Sequence, residues 1–269
     1  MKIGFIGMGN LASALVRGCA QSSFFKQHEF CAYDVYTPSL DAVKPLGVTA
    51  VSDADTLIRT CGMVILAVKP KDIPALLEAN KAAFEAAEPF IVSVAAGTPL
   101  ASITDCLGFE ARAARIMPNI NASVGGAATA VYCNGQVKAE EKETLLDFCR
   151  SFGGAYEMEE AMFSIFSVIG GCSPAFTYLY IDALARAAVK FGMKKELALE
   201  IAAQTVKGSA QQVLASDRHP YELVDRVCSP GGTTIEGVTA LSECGFEHAV
   251  HSAVEAAYQK DRNMSNKKN

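Results

Sequence analysis

Through the first 160 residues, short apolar runs alternate with stretches in which apolar residues recur every three or four positions. Runs of strand length fall at Ile3 to Ile6, Phe30 to Tyr33, Met63 to Val68, Phe90 to Val94 and Ala113 to Met117, with a last short one at Gly154 to Met158. Between them the helical period predicts helices over Leu11 to Ser22, Asp53 to Thr60, Asp72 to Ala87, Pro99 to Leu107 and Ala139 to Ser151. This alternation marks βαβ units around a parallel sheet, because parallel neighbours need a crossover and a helix supplies it.

After about Glu160 the strand-like runs stop, and the pattern predicts helices only: Pro174 to Phe191, Lys195 to Ala215, Pro220 to Val227, Thr234 to Cys244 and Phe246 to Asn263. The first reads as capped by Ser173, with Pro174 at its first position and Gly192 ending it. Its stripe of Phe176, Leu179, Tyr180, Ala183, Leu184 and Ala187 is broad enough to be buried against another helix. The division expected is an α/β domain over residues 1–160 and an all-helical domain over residues 161–269. So many apolar faces in so small a helical domain predict a second copy of the chain as partner.

Composition narrows the function classes. Half the residues are apolar and 20% are charged, as in a well-buried globular protein. The net charge of -5 and the absence of a basic stripe argue against nucleic acid. The apolar runs are strand-length, the run from Met63 ending at Lys69-Pro70, short of the roughly 18 residues that a membrane span needs. Nine cysteines lie singly in apolar segments without CxxC or zinc-ligand spacing, so they read as reduced core residues with no metal. The chain opens on a strand-like run with no charged leader, and the expected location is cytoplasmic.

At the end of the first predicted strand, Gly4-Phe5-Ile6-Gly7-Met8-Gly9-Asn10-Leu11-Ala12 carries G-x-G-x-x-A and runs straight into a helix. Gly7 suits a tight turn, Gly9 lets backbone approach a pyrophosphate, and Ala12 permits close helix packing, while free N–H groups at the helix start face an anion. This context predicts a Rossmann domain with a doubly wound, mostly parallel sheet. Gly7, Met8, Gly9, Asn10 and Leu11 are its candidate NADH or NADPH contacts. Asp34, after the second strand, is placed to grip ribose hydroxyls, or is a solvated turn residue; no arginine follows it for a 2′-phosphate, which favours NADH. Two more strand ends join the candidate site: Ala67-Val68-Lys69-Pro70, where Lys69 is equally readable as a surface charge, and Ala95-Ala96-Gly97.

In the helical half, Ser229-Pro230-Gly231-Gly232-Thr233-Thr234 places two glycines and three hydroxyls before a helix. That is either an anion cradle or an ordinary turn with an N-cap threonine. His219, His248 and His251 read as solvated helix residues.

With these segments in order, together with Met117-Pro118-Asn119 and Ser173-Pro174-Ala175-Phe176, nearly the whole chain resembles the pyrroline-5-carboxylate reductases. The resemblance implies hydride transfer from NAD(P)H to the imine carbon of 1-pyrroline-5-carboxylate, giving L-proline. It implies that Ser229, Gly231, Gly232, Thr233 and Thr234 bind the substrate, that the Thr234 hydroxyl bonds the ring nitrogen, and that Asn119 lies among the cofactor residues. It further implies a dimer through the helical domain, sites made where one subunit's glycine loop meets the other's helices, and rings of dimers. Two segments depart from the family pattern: Ile120-Asn121 replaces Thr-Pro, and Gly170-Gly171-Cys172-Ser173 replaces Ser-Gly-Ser-Gly. A β-hydroxy-acid dehydrogenase would carry a lysine within the first long C-terminal helix, where this chain has only Lys190, at the far end. A dinucleotide sensor without catalysis has no use for the Ser229 to Thr234 loop.

Overall fold

The computed structural model describes residues 1–266. The chain divides into two compact units, one of residues Met1–Gly171 with the chain from Asp261 onward, the other of Cys172–Lys260.

The first unit is built on one eight-stranded sheet: β1 (Lys2–Ile6), β2 (Glu29–Tyr33), β3 (Thr49–Ala50), β4 (Met63–Leu66), β5 (Phe90–Ser93), β6 (Ala113–Met117), β7 (Ala127–Cys133) and β8 (Gly153–Glu157). Their order is β3-β2-β1-β4-β5-β6-β7-β8, parallel throughout except where β7 runs against β6. The order reverses direction between β1 and β4, the switch point at which open α/β sheets bind ligands beyond their strand ends. Strand residues alternate between two cores: Phe5, Phe30, Ile65 and Val92 face one, and Ile6, Cys31, Leu66 and Ile91 the other. Both faces are therefore covered, which is why the strands read as unbroken apolar runs.

Helices α1 (Asn10–Cys19), α2 (Ala54–Thr60), α3 (Ile73–Ala79), α4 (Lys81–Ala87), α5 (Leu100–Leu107) and α6 (Ala139–Arg150) cover the sheet. Leu15 and Phe148 fill the first core, while Leu57, Leu77, Phe84 and Ile103 fill the second. Several boundaries differ from the sequence reading. The first helix ends at Cys19, and the Ser22 hydroxyl accepts from the Phe25 N–H (3.1 Å), so Ser22 opens a new short helix, Ser23–Gln27. The stretch expected as one helix from Asp72 breaks at Asn80, whose amide bonds back to the Leu76 carbonyl (2.8 Å). Strands β3 and β7 were not expected.

The second unit contains α7 (Ser173–Lys190), α8 (Lys195–Leu214), α9 (Pro220–Val227), α10 (Thr233–Glu243) and most of α11 (Phe246–Asn266). Ser173 is not a helix cap, because a helical run already begins before it: a turn at Phe163–Phe166 passes through a π-helical turn at Ser167–Cys172 straight into α7. The small buried core is alanine-rich: Ala185, Ala198 and Ala202, flanked by Ile181, Ala188 and Leu199. The stripe expected to be buried faces outward in the single chain, with Leu179 72% exposed. The helical stretch Glu160–Lys190 is, by length and composition alone, apolar enough to cross a membrane, with mean hydropathy 1.4 in its most apolar window, and only 17% of that window is buried within this chain. The reading of strand-length apolar runs overlooked it, since glycines, serines and a proline interrupt the run. All nine cysteines are free, but Cys172 and Cys244 are exposed rather than in a core, against expectation.

Candidate active site

Gly7 sits at φ +95° and donates its N–H to the Tyr33 carbonyl (2.8 Å). A Cβ there would lie 2.8 Å from the Ala67 carbonyl, so both the backbone angle and the close approach to the β4 end require glycine. Gly9 is the N-cap of α1 with no capping side chain, and a Cβ on it would meet nothing within 4 Å. The first N–H groups of α1, at Asn10 and Leu11, thus lack a side-chain cap behind an open surface, the arrangement a pyrophosphate requires. Met8 is buried, and its N–H donates to Asp34 Oδ2 (2.6 Å). Asp34 Oδ1 accepts from the Tyr36 N–H (2.8 Å). Asp34 therefore braces the glycine loop from the end of β2 and also closes a local turn on Tyr36.

The neighbouring strand ends come together at the same sheet edge. The Ala67 N–H donates to the Ile6 carbonyl (2.8 Å), setting the Val68-Lys69-Pro70 segment beside the glycine loop. The Lys69 side chain is exposed and its carbonyl accepts from Asp72 (2.9 Å). Beyond β5, the buried Ser93 hydroxyl accepts from the Ala95 N–H (3.2 Å), and Ala96 and Gly97 are exposed, Gly97 at φ +64°. Beyond β6, Asn119 is buried; its Oδ1 accepts from the Asn121 N–H (3.1 Å) and its Nδ2 donates to the Gly170 carbonyl (2.8 Å). The segment after Asn119 packs on α1 so closely that a Cβ on Gly18 would lie 2.0 Å from the Ala122 carbonyl.

Sequence reasoning missed Arg115 and Glu160. Arg115, 6% exposed on β6, pairs with Glu160 Oε1 (2.9 Å) and lies over the Phe163 ring at 4.7 Å. Glu160 Oε1 also accepts from the Leu100 N–H at the start of α5 (2.9 Å). A lone arginine inside an apolar strand was the available signal.

In the second unit, Ser229-Pro230-Gly231-Gly232 forms a tight turn closed by the Gly232 N–H on the Ser229 carbonyl (3.0 Å). Proline second and a positive φ third (Gly231, +67°) fit a type II turn. Gly232, not a threonine, is the N-cap of α10, and no side chain caps the helix. Thr233 and Thr234 occupy its first turn, Thr234 half-buried, so the ordinary turn with an N-cap threonine is not what forms. An uncapped helix start with hydroxyls beside it suits a carboxylate. His248 and His251 are exposed, and His219 is the N-cap of α9, its Nδ1 accepting from Tyr221 (3.3 Å). Lys190 is the last residue of α7.

Two family models match the chain: pyrroline-5-carboxylate reductase dimerisation over residues 160–264, and NADP oxidoreductase, coenzyme F420-dependent, over residues 2–97. A pyrroline-5-carboxylate reductase of Methanosarcina acetivorans is 36% identical over 267 residues, covering 99% of this chain and 98% of the relative. One from Escherichia coli is 37% identical over 268 residues, covering 98% of each. The crystal structure of a Plasmodium falciparum pyrroline carboxylate reductase with NADP bound superposes with a TM-score of 0.84 at 31% identity, over 98% of each chain.

Proposed function

The chain belongs to the pyrroline-5-carboxylate reductase family, and from that premise we propose how its residues divide the NAD(P)H-dependent reduction of 1-pyrroline-5-carboxylate to L-proline. The observation that carries the reading is the uncapped start of α10 behind the Ser229 to Gly232 turn, joined in one chain to a glycine loop with a second uncapped helix start.

The backbone of Gly7, Met8, Gly9, Asn10 and Leu11 cradles the pyrophosphate, Asp34 reads the adenosine ribose, and the Ala67 to Pro70 and Ala95 to Gly97 loops border the rest of the dinucleotide. When bound, that group supplies the hydride. Ser229, Gly231, Gly232 and Thr233 hold the substrate carboxylate by backbone N–H groups and hydroxyls. Thr234 orients the ring nitrogen. Its hydroxyl is too weak an acid to titrate near neutral pH, so it positions a proton held on the already electrophilic iminium rather than supplying one. No metal and no catalytic histidine enter this scheme.

The decisive assay follows nicotinamide absorbance as purified protein is given 1-pyrroline-5-carboxylate with NADH or NADPH. Proline must form in step with dinucleotide oxidation; dinucleotide binding without turnover on the imine would sink the reading.

The outward apolar stripe of α7 belongs, on this reading, to a dimer interface, and rings of dimers in the cytoplasm complete the proposal. The same interface accounts for the apolar stretch Glu160–Lys190 without a membrane, and the net charge of -5 speaks against nucleic acid. Light scattering at micromolar concentration should give at least twice the 28.5 kDa chain mass. A monomer there contradicts the interface.

A further inference from the structure

An α-helix would pair the Gly170 carbonyl with the N–H four residues on, but that residue is Pro174, which has none and whose ring crowds the same carbonyl. The helical run meets this by widening into the π turn Ser167–Cys172, a departure of the kind that often marks functional sites. The Gly170 carbonyl is then taken by Asn119 Nδ2 at 2.8 Å, with both residues buried. Because Asn119 Oδ1 also accepts from the Asn121 N–H, the amide is engaged at both ends.

Two further anchors fix the same segment. The Ser167 hydroxyl donates to Asp261 Oδ1 (3.1 Å), and Glu160, at the segment's start, is held by Arg115. The turn is also built to one size: a Cβ on Gly170 would lie 2.8 Å from the Phe166 ring, whereas Gly171 is exposed with nothing within 4 Å of a Cβ. Asn119 lies two residues beyond β6, at the sheet edge that carries the Lys69 and Gly97 loops.

We propose that Asn119 is a positioning residue for hydride transfer and not a dinucleotide contact: it holds open the π turn that Pro174 creates, and the turn in turn bounds the nicotinamide end of the site. The proposal rests on the reductase reading above. Losing the clasp lets the turn shift, and misplacement of order 1 Å lowers a hydride-transfer rate by about a hundredfold at most.

Three variants test this: Asn119→Ala, Asn119→Asp, which keeps the shape but cannot donate when ionised, and Pro174→Ala, which restores the missing N–H and closes the turn. Each should lower kcat by about tenfold or more while leaving the dinucleotide Kd within about twofold. Amide hydrogen exchange over residues 167–173 in dinucleotide-free protein should quicken in both Asn119 variants. The Asn119→Ala/Pro174→Ala double variant should be no slower than the worse single, as two changes to one clasp require. A dinucleotide Kd raised about tenfold with kcat kept, unchanged exchange, or single losses that multiply would each overturn the proposal. If Asn119→Ala proves unstable, Pro174→Ala and Asn119→Asp carry the same kinetic test. Failure of the unaltered enzyme to reduce the imine would strike the reductase reading instead, and the exchange comparison would still decide whether the clasp exists.

Discussion

NADH is expected to support a kcat/KM at least about tenfold above that of NADPH, and Asp34→Asn to move the ratio toward NADPH by about tenfold to a hundredfold. The carboxylate of Asp34 is fixed at the end of β2 by the Met8 and Tyr36 N–H groups, at 2.6 and 2.8 Å, so it cannot swing away from an incoming group. A phosphate on the ribose brings between one and two negative charges beside it. At about 4 Å and an effective dielectric near 20, like unit charges repel by about 4 kcal/mol, and solvent at this half-exposed position trims that to about 1.4–2.8 kcal/mol.

No compensating cation is at hand in the adjoining segment. From Tyr33 to Val43 there is no lysine or arginine, and Lys44 is tied to Asp41 at 2.7 Å. Val35 and Tyr36 instead offer exposed apolar surface. Asparagine keeps the shape and one acceptor, which can brace the glycine loop through Met8 at the cost of the Tyr36 bond; a matching shift in the NADH Kd would report that lost bond, whereas a change confined to the NADPH arm reports charge. Steady-state kinetics with both cofactors decide it. The comparisons point the other way, since the family model over residues 2–97 is named for NADP and the Plasmodium falciparum relative has NADP bound; a hundredfold advantage for NADPH in the unaltered protein, or an Asp34→Asn ratio that does not move, would refute the electrostatic account.

What the sequence made legible was whatever rests on local chemistry. The strands β1, β2, β4, β5 and β6 announced themselves because both of their faces are covered, Gly7 because its tight turn needs glycine, and Gly9 by its spacing from Gly7 at a helix start. The alanine-rich strand β7 did not, since Ala127, Ala128 and Ala130 favour helix and become extended only by pairing with β6 and β8. The Arg115–Glu160 pair joins residues 45 apart, and no spacing rule reaches that far. Ser173 misled for a different reason. Serine before proline is a good cap in isolation, but here the helix had already begun, and the cost of the proline was absorbed by a π turn and by a side chain more than fifty residues away.

Thr234→Ala is expected to lower kcat/KM for the imine substrate by tenfold or more, with the dinucleotide Kd unchanged, and Thr234→Ser to recover most of the loss. The hydroxyl stands in the first turn of α10, where Gly232 supplies the cap position but no side chain, so it is not consumed in holding the helix start. One hydrogen bond to a charged ring nitrogen is worth about 1.5–3 kcal/mol, which sets the tenfold floor and allows about a hundredfold. Gly232→Ala separates orientation of the ring from capture of the carboxylate. The added Cβ would stand 2.9 Å from the Ser229 hydroxyl oxygen and 3.1 Å from its carbonyl, displacing the side chain proposed to hold the carboxylate while leaving Thr234 in its helix. That variant should raise KM for the imine by about tenfold or more with a smaller change in kcat, whereas Thr234→Ala acts chiefly on kcat. If Thr234→Ala leaves kcat/KM intact, the ring nitrogen is oriented by another group and Thr234 leaves the mechanism; if both variants change KM alone, the turn and the threonine form one carboxylate site and nothing in it steers the hydride.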